Sequence, residues 1–129
     1  MSVKELMFKF LQEHHQEGYF LSELERMFYS DYKDDPKLIY IIPFGLQKNN
    51  IIAWKTTKKQ FSEDIHELGK DKKIFLEGHN NPLLWMTSGK ILNLPIAKKY
   101  KQYKTEHWLP CFVKIPTEKD LEELSVGDQ

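Results

Sequence analysis

Lys37-Leu38-Ile39-Tyr40-Ile41-Ile42-Pro43-Phe44-Gly45-Leu46-Gln47-Lys48-Asn49-Asn50 is the stretch whose reading decides the fold. Read as a helix, it places Leu38, Ile41, Ile42 and Leu46 on one face, with Asn50 as a left-handed stop. Read as a strand, Leu38 to Phe44 pairs with Ile51 to Thr57 across a loop containing Asn49-Asn50. Three β-branched residues, Ile39, Ile41 and Ile42, favour the strand. Pro43 favours it too, because a helical proline loses its hydrogen bond and clashes with the carbonyl of Ile39. The periodicity fits both, and the choice stays open at this level.

Outward from this stretch the pattern is plainer. Val3, Leu6, Met7, Phe10 and Leu11 fall on one helix face. Ser2 and Glu5 form a capping box and Gly18 supplies a stop, so the first helix is predicted over 3–17. Tyr19-Phe20-Leu21 is long enough only for a bridging strand. Ser22 and Glu25 form a second capping box, opening a helix that turns Leu24, Met27 and Phe28 inward. Ser30 to Pro36 is a polar loop.

Ile51 to Thr57 is a strand by composition, and Ser62 to Leu68 a short helix ended by Gly69. Strands are expected at Ile74 to Leu76 and Leu83 to Thr87, around a turn at 78–82. Ser88-Gly89 leads as a hairpin turn into Lys90 to Ile96. Trp108 to Ile115 reads as a last strand, moved towards a sheet edge by Pro110. Thr117 caps a final helix, Glu118 to Leu124. The fold class is α+β, with no linker dividing the 129 residues, so one domain over 1–129 is expected.

Composition narrows the setting. The longest apolar run, Leu38 to Leu46, contains Pro43 and Gly45 and is far short of the roughly 20 residues of a membrane-spanning helix. The amphipathic, acid-containing N-terminus is unlike a signal peptide. Cys111 is the one cysteine and no Asn-x-Ser/Thr sequon occurs, which points to a cytoplasmic location. The zero net charge conceals segregation: −4 over residues 1–35, +8 over 36–115 and −4 over 116–129. A basic middle attracts polyanions through its local field, although lysines also serve simply as a solvated face.

Catalytic and metal signatures fail on inspection. Ser88-Gly89-Lys90 lacks both the upstream glycine and the following Ser or Thr of a phosphate loop; Leu84 and Ile91 stand there. His66-Glu67 starts like a zinc-protease helix, but Lys70 replaces the second histidine and Gly69 breaks the helix. His107 and Cys111 straddle Pro110 without a second ligand pair, and Cys111 between Pro110 and Phe112 reads as a packed thiol. His79-Asn80-Asn81 has the residues any turn uses. No catalytic residue, cofactor or metal is expected.

The run from Met7 to Leu24, with its helix, Gly18, short strand and Ser22-capped second helix, resembles the opening of a winged helix-turn-helix domain. Leu46-Gln47-Lys48-Asn49-Asn50-Ile51-Ile52 is similar to the end of that family's third helix leading into its wing. The resemblance covers residues 3–59 and leaves 60–129 as an α+β remainder, a small antiparallel sheet with the short C-terminal helix. It implies a third helix presenting Lys37, Tyr40, Gln47 and Lys48 to a DNA groove, with Lys55, Lys58 and Lys59 on the wing.

A second basic element stands apart from that resemblance. Lys98-Lys99-Tyr100-Lys101-Gln102-Tyr103-Lys104 combines four lysines, which neutralise phosphates, with two aromatic rings, which stack on bases. One arginine, Arg26, among so many lysines argues against base-specific reading. The expected function is non-catalytic nucleic-acid binding, DNA favoured and phosphate-dominated. The competing expectation is a small protein-interaction module of the inhibitor or immunity type. No membrane partner is expected.

Overall fold

A computed structural model describes residues 1–15, 17–79 and 92–119. In chain order these give helix α1 (Val3–Glu13), strand β1 (Tyr19–Phe20), helix α2 (Leu21–Tyr29), strand β2 (Tyr40–Pro43), a 3-10 turn (Gln47–Asn49) and strand β3 (Ile51–Thr56). Helix α3 (Lys59–Lys70) and strands β4 (Phe75–Gly78), β5 (His107–Trp108) and β6 (Cys111–Lys114) follow. The architecture is α+β, with two three-stranded sheets, ordered β1-β6-β4 and β2-β3-β5. The strand expected at 83–87 and the Ser88-Gly89 turn lie outside the described residues, as does most of the final helix.

The decisive stretch forms a hairpin. β2 pairs antiparallel with β3, Tyr40 opposite Thr56 and Ile42 opposite Trp54, with an irregularity between Ile42 and Pro43. Proline has no N–H to give the ladder, and the register shifts where it sits. Gly45 then takes φ +74, a left-handed conformation that side chains with a Cβ resist. The helical alternative over 37–50 is therefore not formed, and one 3-10 turn is all the helix between Ser30 and Ile51. The third helix implied by the winged-helix resemblance has no counterpart here. Asn50 does adopt the left-handed conformation read from the sequence, with φ 57 and ψ 31.

Several boundaries differ from expectation for identifiable reasons. α1 stops at Glu13 instead of residue 17, because Leu11 is the last core residue before Tyr19 and nothing apolar anchors another turn. Gly18 serves a different end: a Cβ there would collide with the Phe112 ring. α2 begins a residue before the expected box, and Glu23 rather than Glu25 accepts from the Phe20 N–H at 2.9 Å. That frame buries Leu21, Leu24, Glu25 and Tyr29, while Met27 is turned out. α3 is longer than predicted and runs through Gly69.

The expected last strand is two strands in two sheets. β5 lies parallel to β3, with Ile51 opposite His107 and Ile52 opposite Trp108, so the β2-β3-β5 sheet is mixed rather than antiparallel. The chain crosses at Leu109-Pro110, where the Leu109 N–H still reaches the Ile52 carbonyl at 2.9 Å. β6 then sits at the centre of the other sheet between β1 and β4, not at an edge. Pro110 fits the crossing because that position donates no ladder hydrogen bond.

One core joins these elements: Met7 and Leu11 of α1, Leu24 and Tyr29 of α2, Phe61, Ile65 and Leu68 of α3, with Trp54, Trp108 and Val113 from the sheets. Its polar atoms are paired. Trp54 Nε1 donates to Glu25 Oε2 at 3.0 Å, and Trp108 Nε1 to the Ala53 carbonyl at 3.1 Å. Tyr29 Oη donates to Asp64 Oδ2, whose other oxygen accepts from Gln60 at 2.8 Å. Burial, and then this hydrogen bond, push the Tyr29 phenol far above its usual range. Tyr29→Phe leaves a buried carboxylate short of a donor and is expected to cost about 1–3 kcal/mol, read from denaturant melts.

Asp35 organises the loop entering β2. Its Oδ1 accepts from the Lys37 and Leu38 amides at 2.9 and 3.0 Å, and its Oδ2 from Tyr40 Oη at 2.8 Å. The Lys37 amide first, then the Tyr40 hydroxyl and the Leu38 amide, hold the carboxyl below the usual aspartate range. A depressed folded value means the contribution is complete above the usual range and lost as pH falls through the lower, folded value. The Lys37 and Leu38 amide resonances should therefore shift together at a pH below that of an unstructured aspartate; movement at the ordinary pH would contradict the turn.

Candidate functional site

Two segments far apart in sequence meet at the start of β3. The Tyr103 N–H donates to the Asn49 carbonyl at 3.0 Å, and Asn50 Nδ2 donates to the Tyr103 carbonyl at 2.7 Å. One step on, the His107 N–H donates to the Asn50 carbonyl at 2.8 Å. Left-handed Asn50 thus aims its amide at the loop that precedes β5. The 3-10 turn bearing Lys48 and the Lys98–Lys104 loop, competing sites in the sequence, become one surface.

The loop is held by its own tyrosines and is not helical. Tyr103 Oη donates to the Lys99 carbonyl at 2.8 Å, closing a short ring of chain. The Tyr103 ring stacks on His107 at 3.9 Å and 24° between planes, and Lys101 Nζ lies 5.0 Å from its centroid. Tyr103 is thereby committed to structure and is withdrawn as a base-stacking residue. Tyr100 meets the Phe44 ring edge-on at 5.8 Å yet stays 60% exposed. A Cβ on Gly45 would collide with the Tyr100 hydroxyl, so the glycine admits this contact. Leu46 is exposed beside it.

The lysines divide into two groups. Lys48, Lys99, Lys101 and Lys104 are exposed and, among the described residues, make no ion pair with a carboxylate. Lys98 is exposed on the same loop. The lysines assigned to the wing are engaged with acids instead. Lys55 pairs with Glu106 at 2.9 Å, and Lys59 with Glu63 at 3.8 Å. Lys58, nearly buried, reaches Asp34 at 3.3 Å and the Tyr32 carbonyl at 2.6 Å. Lys37 lies in the Asp35 turn and Tyr40 is tied to Asp35, both away from Lys48. Gln47 is exposed in the 3-10 turn next to Lys48.

The structure therefore gathers Gln47, Lys48, Lys98, Lys99, Tyr100, Lys101, Tyr103 and Lys104, and leaves Lys37, Tyr40, Lys55, Lys58 and Lys59 outside. The contributions of Phe44 and Gly45, and of Asn49 and Asn50 as the joint, went unread in the sequence. Only the left-handed Asn50 signal hinted at them.

Among the described residues no three metal-ligating side chains converge. Cys111 is 1% exposed, donates to the Leu109 carbonyl at 3.1 Å, and burial pushes its thiol far above the ordinary range. His107 faces Tyr103 and its Nδ1 bonds the Thr105 carbonyl. His79 lies 3.0 Å from Glu77, which also pairs with Lys114 at 3.4 Å, and its ring packs on Phe112. Asn80 and Asn81 lie outside the described residues. No helix among the described residues is long and apolar enough to cross a membrane.

No protein-family model, curated protein or solved structure matches this chain.

Asn50→Gly keeps the left-handed backbone but removes the amide that binds the loop. It should raise hydrogen exchange at Tyr103 and lower stability by about 1 kcal/mol while β3 keeps its protection. Cys111 should resist iodoacetamide in the native protein and react only as fast as the chain unfolds; rapid native labelling would contradict its burial.

Proposed function

We propose that this protein binds nucleic acid without catalysis, through the surface formed by Lys48 and the Lys98–Lys104 loop. The observation that carries this reading is the convergence of Lys48, Lys99, Lys101 and Lys104, without carboxylate partners among the described residues, around the exposed ring of Tyr100. Ammonium groups released from acidic neighbours are those that displace counterions from phosphates. With no helix at 37–50 to enter a groove, and lysines in place of arginines, the contact is to the backbone of the nucleic acid. Tyr100 is the ring with surface to offer a base. An accessory or regulatory role, such as coating or presenting a strand, fits contacts of this kind.

A second reading, recognition of a protein, has one observation behind it. β2 is an edge strand among the described strands; Ile41 within it is 41% exposed and Ile39 just before it 63%. Exposed apolar edges invite pairing with another chain. Such binding would fall on the hairpin and depend weakly on salt.

Fluorescent single-stranded and duplex DNA should bind at about 50 mM salt and weaken steeply towards about 200 mM. Lys48→Ala, Lys99→Ala, Lys101→Ala and Lys104→Ala should each lower the salt slope by about one unit for every phosphate no longer neutralised. Lys55→Ala and Lys59→Ala should leave it unchanged. Tyr100→Ala should weaken single-strand binding by about 1–3 kcal/mol with the melting midpoint held. Absence of binding at low salt to either DNA sinks the proposal, as does loss of affinity confined to hairpin substitutions.

A further inference from the structure

Phe44 and Gly45 belong to two neighbourhoods at once. The Phe44 ring meets the Tyr100 ring edge-on at 5.8 Å, and Gly45 lies so close to the Tyr100 hydroxyl that a Cβ would collide with it. The same two residues line a groove of about 700 Å³ between α3, the end of β2 and the chain entering β4. Buried Ile42, Ile65 and Ile74 form its floor, and Leu76 adds to the lining. The volume falls within the roughly 300–1,000 Å³ of small-molecule sites. The groove is therefore continuous with the basic loop, and Tyr100 stands at their junction.

Charge is divided unevenly along this path. Among the described residues the polar side chains lining the groove are His66, Lys70 and Lys72. Asp71 lies between the two lysines, and Lys72 already has a partner. The nearby acids Glu63 and Glu67 pair with Lys59 and Lys4. The groove end thus offers little free positive charge. The ammonium groups without a carboxylate partner among the described residues are those of Lys48, Lys99, Lys101 and Lys104, at the loop end. A ligand matching this division carries its negative charge on the loop and a neutral apolar body in the groove.

The end of α3 leaves room for such a body. The helix closes with the Lys72 amide on the Gly69 carbonyl at 3.1 Å and the Lys73 amide on the Leu68 carbonyl at 3.0 Å. That pattern puts a left-handed residue just beyond the cap, a seat that glycine normally fills, yet Lys72 occupies it with φ 58. The glycine, Gly69, sits inside the helix and on the groove. A Cβ there would meet no atom within 4 Å, so packing does not ask for glycine. Its missing side chain lets a flat ring approach the helix backbone.

We propose that the protein binds single-stranded nucleic acid by seating an unpaired base in this groove. The inference deepens the nucleic-acid reading and rests on it. Phosphates lie on the free lysines, one base stacks on the exposed Tyr100 ring, and a neighbouring base passes Phe44 to lie over Ile65 and Gly69. A base in a duplex is paired and stacked, and enters such a site only when it is pulled out, so a single strand is preferred. His66 supplies a polar contact. The Ser62 carbonyl, 2.7 Å from its Nδ1, can only accept, so Nδ1 carries the proton and Nε2 is left to accept from a base N–H.

The test titrates the full chain with three probes of about twelve nucleotides: oligothymidylate, an abasic strand with the same phosphates, and a duplex. Oligothymidylate should bind about tenfold tighter than the abasic strand at about 50 mM salt, shifting amides at residues 44–45 and 65–70 as well as 98–104. The abasic strand should shift the loop alone. Gly69→Leu extends into open space, so it should keep its melting midpoint, fill the groove and weaken oligothymidylate about fivefold or more while the abasic strand binds as before. His66→Ala, at an exposed position, should weaken oligothymidylate in the same selective way. If none of the three probes binds at low salt, the nucleic-acid reading itself falls. Salt-sensitive binding of oligothymidylate with shifts confined to the loop, with the duplex preferred, or with both variants binding it like the parent leaves that reading standing and overturns the seated base.

Discussion

Burying the indole of Trp54 requires an acceptor for its N–H, and Glu25 of α2 supplies it at 3.0 Å. Trp54 is 4% exposed and Glu25 6%, so the pair is closed to water. A buried donor or carboxylate left alone costs more than the bond gains, so α2 and β3 are locked together in one register. The other flank of β3 obeys the same constraint, with Trp108 on the Ala53 carbonyl. Asp64 of α3 repeats it against Tyr29 and Gln60. Trp54, Trp108 and Tyr29 fill the core, and their polar ends decide how the helices and sheets are placed around it.

With β3 fixed on both flanks, its first residues become a platform. Asn49 is buried and Asn50 is left-handed, and together they hold the Tyr103 backbone from both sides. The loop's lysines are carried on a rigid anchor, which matters because a basic surface that must first order itself binds less tightly. The Leu109-Pro110 crossing extends the same framework into the second sheet, so the strand beneath the basic loop continues as the centre of that sheet. The basic surface is thus coupled to the core through backbone hydrogen bonds rather than through its own side chains.

Among the described residues the chain departs from local rules in few places. Trp54, Leu24 and Phe61 sit where propensity and burial agree. Lys72 in a glycine seat and Gly69 in a helix do not, nor do Ile39 and Ile41 on an open edge. Departures of this kind concentrate where a sequence serves something besides folding.

What the sequence determined by itself was local. The periodicity of Val3 to Leu11, the composition of Ile51 to Thr57 and the left-handed Asn50 were legible because each rests on neighbours within a turn or a strand. The α+β class followed from them. The tertiary structure alone decided the hairpin at 40–56, because Leu38 to Leu46 satisfies two periodicities and only pairing with β3 separates them. It also decided which lysines are available. Lys58 and Lys99 look alike in the sequence, yet one is held between Asp34 and the Tyr32 carbonyl and the other stands open on a loop. An ion pair between residues far apart in the chain leaves no periodic trace, so the basic surface was assembled only when residues 47–50 met residue 103.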